Sequence, residues 1–324
     1  MFNIQQYNSA GVNKADMDIE EELTVKAAWL YFLAKKTQAE ISAILGISRM
    51  KVMRLLERAK QTGIIKITMR EDNVRRMKLE NQIIEKYNLK DSFIIPVSSG
   101  AVITEINNAV ADAAAMYVGS RILPDSFINI GYGDTMGKTL NNLAKNVKNP
   151  ISCISLTGGV SIYLPNTQSS IFNARLYLIP APLLVSTNEV FHAIIAEDSV
   201  KEIMRMVSLA SFTIIGIGAL NDGATILKTG ALSKNDFLYL KMQGVVGDIL
   251  CHFFDKYGKT VASPFEDRLI TTPLSVLKSL SNVIGVAAGM DKRDAIRGAL
   301  ALGYIDILIT DEDTAQWLIE NKTD

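Results

Sequence analysis

The residues best placed to do chemistry fall into two groups, and the first runs from Thr37 to Lys60. Thr37-Gln38-Ala39-Glu40 has the spacing of a capping box, in which the Thr37 hydroxyl accepts the Glu40 amide and the Glu40 carboxylate returns the bond. A helix therefore starts here. It runs about two turns, turns Ile41, Ile44 and Leu45 to one side, and stops at Gly46, which tolerates the positive φ of a sharp turn. Ile47 plugs the turn and Ser48 caps the next helix, where Val52, Leu55, Leu56 and Ala59 share one stripe. Met50, Arg54 and Glu57 lie opposite, with Arg49, Lys51, Met53 and Arg58 on the shoulders. A short helix held by a partner, with Arg and Lys on its free face, meets the demands of the DNA major groove. Arg54 is the candidate base contact. Arg49 and Lys51 stand near the helix start, and Thr37 and Gln38 open the preceding helix, where phosphates bind. Gly63 breaks the pattern, and 64–68 (Ile-Ile-Lys-Ile-Thr) reads as a short strand, the wing of a winged helix-turn-helix.

The second group is a set of small-residue turns at the ends of apolar runs. Gly131-Tyr132-Gly133-Asp134-Thr135-Met136-Gly137 follows a strand pattern at 126–130 and opens a helix. Such a turn exposes backbone N–H groups at the positive end of a helix dipole, a place for phosphate. Its spacing is neither the dinucleotide fingerprint nor a P-loop, so a phosphate site and a plain turn both stay open. Thr157-Gly158-Gly159, Gly216-Ile217-Gly218 and Ala288-Gly289-Met290-Asp291-Lys292 repeat the theme. In α/β sheets, ligands bind at the carboxyl ends of the strands. Lys292 can reach a phosphate there. Asp248, set among Val245, Val246, Ile249 and Leu250, needs a partner, either a sugar hydroxyl or a nearby backbone N–H.

The elements that position these groups follow from periodicity. Residues 1–22 read as a polar tail, 23–72 as the DNA-binding unit, 73–89 as a helical connector suited to pairing subunits, and 90–324 as an α/β unit. In the last, strand patterns at 92–97, 126–130, 151–156, 174–179, 211–217, 283–286 and 306–309 alternate with helical ones at 103–118, 135–146, 189–210, 243–256, 291–302 and 312–320. This alternation predicts a mostly parallel sheet covered on both faces. With 48% hydrophobic and 21% charged residues, and no run near the roughly 18 uncharged residues of a membrane span, the chain has the make-up of a folded non-membrane protein. The first residues lack a secretory pattern, so a cytoplasmic address is expected. The net charge of +0 hides a local excess: from Arg49 to Lys78, ten basic residues face three acidic ones. Cys153 and Cys251 sit in apolar runs and His192 and His252 lack metal-site spacing, so no metal, cofactor or disulfide is expected. A G-x-S-x-G elbow is absent, and nucleophilic catalysis has no support.

Taken in order, 37–67 and the motifs INIGYGDTM, SLTGGV, YLIPAPLLV, IIGIGAL, GVVGDILCHFFDKYG, VIGVAAGMDKRDAIRGAL and ILITDEDTA resemble those of the SorC family of sugar-sensing regulators. Within it the likeness is strongest to the Lsr-type branch, whose effector is phosphorylated autoinducer-2. The resemblance implies a winged helix-turn-helix joined to an α/β effector domain related to sugar-phosphate isomerases and deaminases, assembled as a dimer or tetramer. It implies no enzyme but a regulator, of repressor type, for a carbohydrate or autoinducer-2 operon. The partners it implies are operator DNA and a phosphorylated sugar, polyol or phospho-autoinducer-2. By motif position, phosphate would meet Gly131 to Met136 and Lys292, and ligand hydroxyls Asp248; Gly158, Gly159 and Gly289 are counted with them as effector-binding residues. The family usually has Phe or Trp at Tyr132, and the loop 160–172 diverges from it. The competing expectation is a sugar-phosphate isomerase- or deaminase-like enzyme with a DNA-binding head.

Overall fold

The computed structural model describes residues 14–68, 70–98, 100–147, 150–159, 174–228, 230 and 232–321, for 14–18 the backbone alone. The divergent loop 160–172 and the first part of the expected tail lie outside them. The chain divides into two compact units, Met1–Glu71 and Asp72–Asp324.

In the first unit α1 (Lys14–Ala28) continues into one π turn (Trp29–Leu33), closed by the Ala34 amide on the Trp29 carbonyl at 3.0 Å. α2 (Gln38–Leu45) and α3 (Arg49–Gln61) follow. Ala27, Ile41, Val52, Leu55 and Leu56 form the core, with Leu23, Leu30, Leu45 and Ile47 against it. Residues 14–22 are helical, not tail. Their sequence carries no apolar stripe, and the helix is tied to α3 where Glu20 pairs with Arg58 at 2.7 Å. Ile44, expected inward, is exposed. The strand expected at 64–68 does not form. A strand needs a second one to take its N–H and C=O groups, and the chain passes instead into α4 (Glu71–Tyr87).

The second unit is built on a seven-stranded, wholly parallel sheet in the order β1-β11-β10-β5-β2-β3-β4. The strands are β1 (Asp91–Ile95), β2 (Phe127–Ile130), β3 (Ile151–Ser155), β4 (Ala174–Tyr177), β5 (Ala210–Gly216), β10 (Val283–Val286) and β11 (Ile307–Asp311). Every residue of β10 and β11 is buried, as a sheet covered on both faces requires. α5 (Ile103–Gly119) and α6 (Asp134–Asn146) pack over one face through Val110, Ala114, Leu140 and Leu143. α4 is no free connector. It buries Leu79 and Ile83, takes the Ile94 amide on Glu80 at 2.9 Å, and sets the Lys86 ammonium on the carbonyls of Leu318, Ile319 and Asn321.

Two expectations within this unit are overturned. The single helix at 189–210 is two, Asn188–Ala196 and Asp198–Met206, broken by Glu197 in extended conformation. The helix at 243–256 is a β-hairpin, β7 (Val245–Ile249) and β8 (His252–Asp255), in a small antiparallel sheet β6-β7-β8-β9 with β6 (Gly218–Ala219) and β9 (Thr260–Val261). The apolar positions 245, 246, 249, 250, 253 and 254 mimic a helical repeat. A two-residue turn at Leu250 and Cys251, both at positive φ (52° and 66°), produces that spacing between two strands instead.

Candidate functional sites

The helix pair of the first unit is built by local hydrogen bonds. The Thr37 hydroxyl accepts the Glu40 amide at 3.3 Å, and Glu40 Oε2 accepts the Thr37 amide at 2.8 Å and its hydroxyl at 2.9 Å. Gly46 ends α2 with φ 64°, the Ser42 hydroxyl holds the Ile47 carbonyl, and Ser48 Oγ caps α3 on the Lys51 amide at 3.2 Å. Val52, Leu55, Leu56 and Ala59 are buried, as their spacing requires. Arg49, Met50, Lys51, Met53, Arg54 and Glu57 are exposed. Arg58 and Lys60 are tied to Glu20 and Glu57. Among the described residues no ion pair holds Arg49, Lys51 or Arg54. Three cations thus project from one short helix with their charge uncompensated, the arrangement that attracts a polyphosphate backbone. Gln38 is half-buried at the start of α2, and the Thr37 hydroxyl proton is already given to Glu40.

In the second unit a cleft of about 410 Å³ opens at the carboxyl ends of β2, β5 and β10. It brings together Tyr132, Gly133, Asp134, Thr135, Met136, Asp248 and Lys292 from distant parts of the chain. Gly133, at φ 118°, precedes α6, and the Gly137 amide on the Gly133 carbonyl at 2.9 Å is an early helical bond. The amides of Asp134, Thr135 and Met136 have no acceptor within the helix, which leaves them for an anion at its N-terminus. Lys138, one turn on, lines the cleft while bridged to Asp134 at 2.7 Å.

Four expected glycines are not in the lining. Their amides are already committed: Gly131 to Ile214 O, Gly158 to Ile270 O, Gly159 to Ala181 O, and Gly289 to Asp311 Oδ2 at 2.7 Å. Two of them, Gly131 and Gly158, let backbone pass close instead. A Cβ on Gly158 would collide with the Pro182 carbonyl, and one on Gly131 would stand 3.3 Å from the Ile215 Cα. Conversely, Ile103, Thr104 and Asn107 of α5, and Asn221 and Asp291, line the cleft unforeseen. Asn107 had one signal, a polar amide three and four residues before the buried Val110 and Ala111. Its buried Oδ1 has no hydrogen-bond partner among the described residues. Asn221 donates to Asp291 Oδ2 at 3.0 Å across the mouth.

Asp248 is buried on β7, where Oδ2 accepts the Tyr132 hydroxyl at 2.9 Å and the Cys251 amide at 3.1 Å. The backbone partner left open by the sequence is thus present, and a phenol joins it. Burial pushes the Asp248 carboxyl above its ordinary value, opposed by the Tyr132 and Cys251 hydrogen bonds and by His252 and Lys292. Burial, then the Asp248 charge, pushes the Tyr132 hydroxyl well up. Burial lowers the Lys292 ammonium, with Asp291, Asp248 and Asp134 opposing. Desolvated and close to uncommitted amides, Lys292 is suited to a compact dianion.

A cleft with a helix N-terminus, a half-buried lysine and a buried carboxylate, on a chain that also carries a helix-turn-helix, defines a ligand-controlled DNA-binding protein. Residues 71–320 match the family described as a putative sugar-binding domain, and the chain belongs to the SorC-type transcriptional regulators that carry it. It is 34% identical over 306 residues to the transcriptional regulator LsrR of Escherichia coli, covering 93% of this chain and 96% of that one. To LsrR of Klebsiella pneumoniae it is 31% identical over 301 residues, 92% of each. The crystal structure of the full-length sorbitol operon regulator SorC from Klebsiella pneumoniae, 27% identical, superposes with a TM-score of 0.67 over 92% of this chain and 98% of that one. Among the described residues no helix is long and apolar enough to cross a membrane.

Proposed function

We propose that this regulator reads operator DNA with Arg49, Lys51 and Arg54 of α3, helped by Thr37 and Gln38, and responds to a small phosphorylated sugar or polyol held in the cleft. The observation that carries the effector half is the meeting of the α6 N-terminus, Lys292 and Asp248 in one cleft. The first two bind the phosphate, and Asp248 takes a hydroxyl. Phospho-autoinducer-2 belongs to this chemical class, and the likeness to LsrR supports testing it first. The protein works in the cytoplasm as a homodimer or homotetramer and represses an operon for uptake or breakdown of its effector. The effector acts by preferring one arrangement of the paired α3 helices over another.

An isomerase or deaminase would need a free general base. Of the three carboxylates in the cleft lining, Asp134 is bridged to Lys138, Asp291 takes Asn221, and Asp248 already has two donors on one oxygen, which favours a binding role. The deciding experiment is a thermal-shift screen over phosphorylated tetritols, pentoses, hexitols and autoinducer-2, followed by operator binding with and without each hit. A hit that both raises the melting temperature and changes operator affinity supports the reading. Stabilisation by none of them overturns it.

A further inference from the structure

We infer that Tyr132 is a specificity-determining residue: it occupies one oxygen of Asp248, so the cleft reads a single hydroxyl of its effector where a free carboxylate would read a vicinal pair. The inference rests on the effector reading above and adds to it which hydroxyls count.

A carboxylate offers two oxygens, and a diol is held most strongly when each hydroxyl donates to a different one. Here Oδ2 is filled by the Tyr132 hydroxyl at 2.9 Å and the Cys251 amide at 3.1 Å. Oδ1 has no hydrogen bond among the described residues. It lies over Gly218, the antiparallel partner of Asp248, where a Cβ would collide with it, so the missing side chain at 218 is what leaves this oxygen room on the cleft wall. The phenol proton is spent on Oδ2, and the phenol oxygen that remains is a neutral, weaker acceptor than the carboxylate it covers. The Tyr132 ring is wedged between two hydrophobic clusters, with Met136 and Ile130 in one and Phe253 and Leu183 in the other. The hydroxyl is therefore held on Asp248 and does not swing away to admit a ligand.

The test uses the full-length protein and two parent probes, ribitol 5-phosphate and glucitol 6-phosphate, each with its 1-deoxy and 2-deoxy analogues, titrated by calorimetry. A hydroxyl bonded to a charged oxygen is worth roughly tenfold or more in affinity. In the native protein only one of the two deoxy analogues of a binding parent should weaken by about that factor, and the other should bind within about threefold of the parent. Tyr132→Phe keeps the ring and frees a lone pair on Oδ2, so both analogues should then weaken. Weakening of both in the native protein overturns the inference whether or not the variant folds. An unchanged pattern in Tyr132→Phe, or an equal loss for parent and analogues, also overturns it, the latter marking Tyr132 as a structural strut. If neither parent binds the native protein while another phosphorylated compound does, the six compounds are replaced by that hit and its two deoxy analogues at the end remote from phosphate. If no phosphorylated compound binds, the effector reading itself fails and takes this inference with it.

Discussion

On α3, Arg49, Lys51 and Arg54 stand in solvent without ion pairs among the described residues, whereas in the cleft Lys138 is bridged to Asp134, Asp291 takes Asn221, and Asp248 takes Tyr132 and Cys251. Under the proposed function, this difference follows from the two ligands. A polyanion is attracted by charge left uncompensated on a rigid helix, and the helix itself rests on a small core of Ala27, Ile41, Val52, Leu55 and Leu56. A small effector has few atoms to bind with, so its site must be set in place before it arrives, and partnered charges do that. The first surface should therefore be sensitive to the stability of a small core, and the second to single polar atoms.

The largest break in this comparison comes from Leu55, buried at the centre of the small core. Leu55→Ala should cost about 2–5 kcal/mol in the first unit. Operator binding should be lost while sugar-phosphate stabilisation of the second unit persists, as read by melting curves with and without the effector. Joint loss of both would show that the units do not fold as separately as their cores imply. A smaller pair of effects separates the two surfaces. Arg54→Ala should weaken operator binding by about 1–3 kcal/mol and leave effector affinity alone. Lys292→Ala should weaken effector binding by about 1.5–3 kcal/mol and leave effector-free operator binding intact. Binding assays on both variants with both ligands give the four values needed.

The two surfaces were also unequally legible. For α2 and α3, every determinant lies within a few residues of its partner: Thr37 with Glu40, Gly46 at its turn, Ser48 with Lys51. The sheet and its alternation were legible for the same reason, since each apolar run is local. What escaped depended on pairing at a distance. Gly158 and Gly159 read as phosphate loops until Ile270 and Ala181 take their amides. The 243–256 segment read as a helix because a two-residue turn between strands reproduces helical spacing. A wing at 64–68 needed a partner strand that the described chain does not supply. Asn107, Asn221 and Asp291 enter the cleft only because α5 and two loops converge there, which no local pattern records.

Asp248 gives a pH test of the preset cleft. Its carboxyl is raised in the folded protein, chiefly by burial, so the folded state binds the proton more tightly than the unfolded chain does. Its contribution to stability is therefore fully present below the ordinary carboxyl range and is lost as pH rises through the raised folded value. Asp248→Asn cannot make this change. The melting temperature of the native protein minus that of Asp248→Asn should fall as pH rises from the acid side through that window, then level off. A flat difference would mean that the Tyr132 and Cys251 bonds fully offset burial.

The smallest effect is expected at the edge of the second unit, where Arg75 near the start of α4 reaches Glu312 at 2.5 Å. Arg75 is exposed, so solvent screens the pair, and Arg75→Ala should cost no more than about 1 kcal/mol of stability. Its value lies in what surrounds it. Glu312 directly follows Asp311, which caps the helix Glu312–Glu320 on the Thr314 amide at 2.9 Å and holds the Gly289 amide at 2.7 Å, three residues before Lys292. The turn that carries Lys292 and the helix nearest the DNA-binding unit in sequence are thus fastened to the same short segment. If that segment only holds the fold together, Arg75→Ala should change melting by this small amount and leave the effector's influence on operator affinity as it was. A loss of that influence with effector and operator each still bound normally would show that a surface pair of little worth to stability transmits the signal.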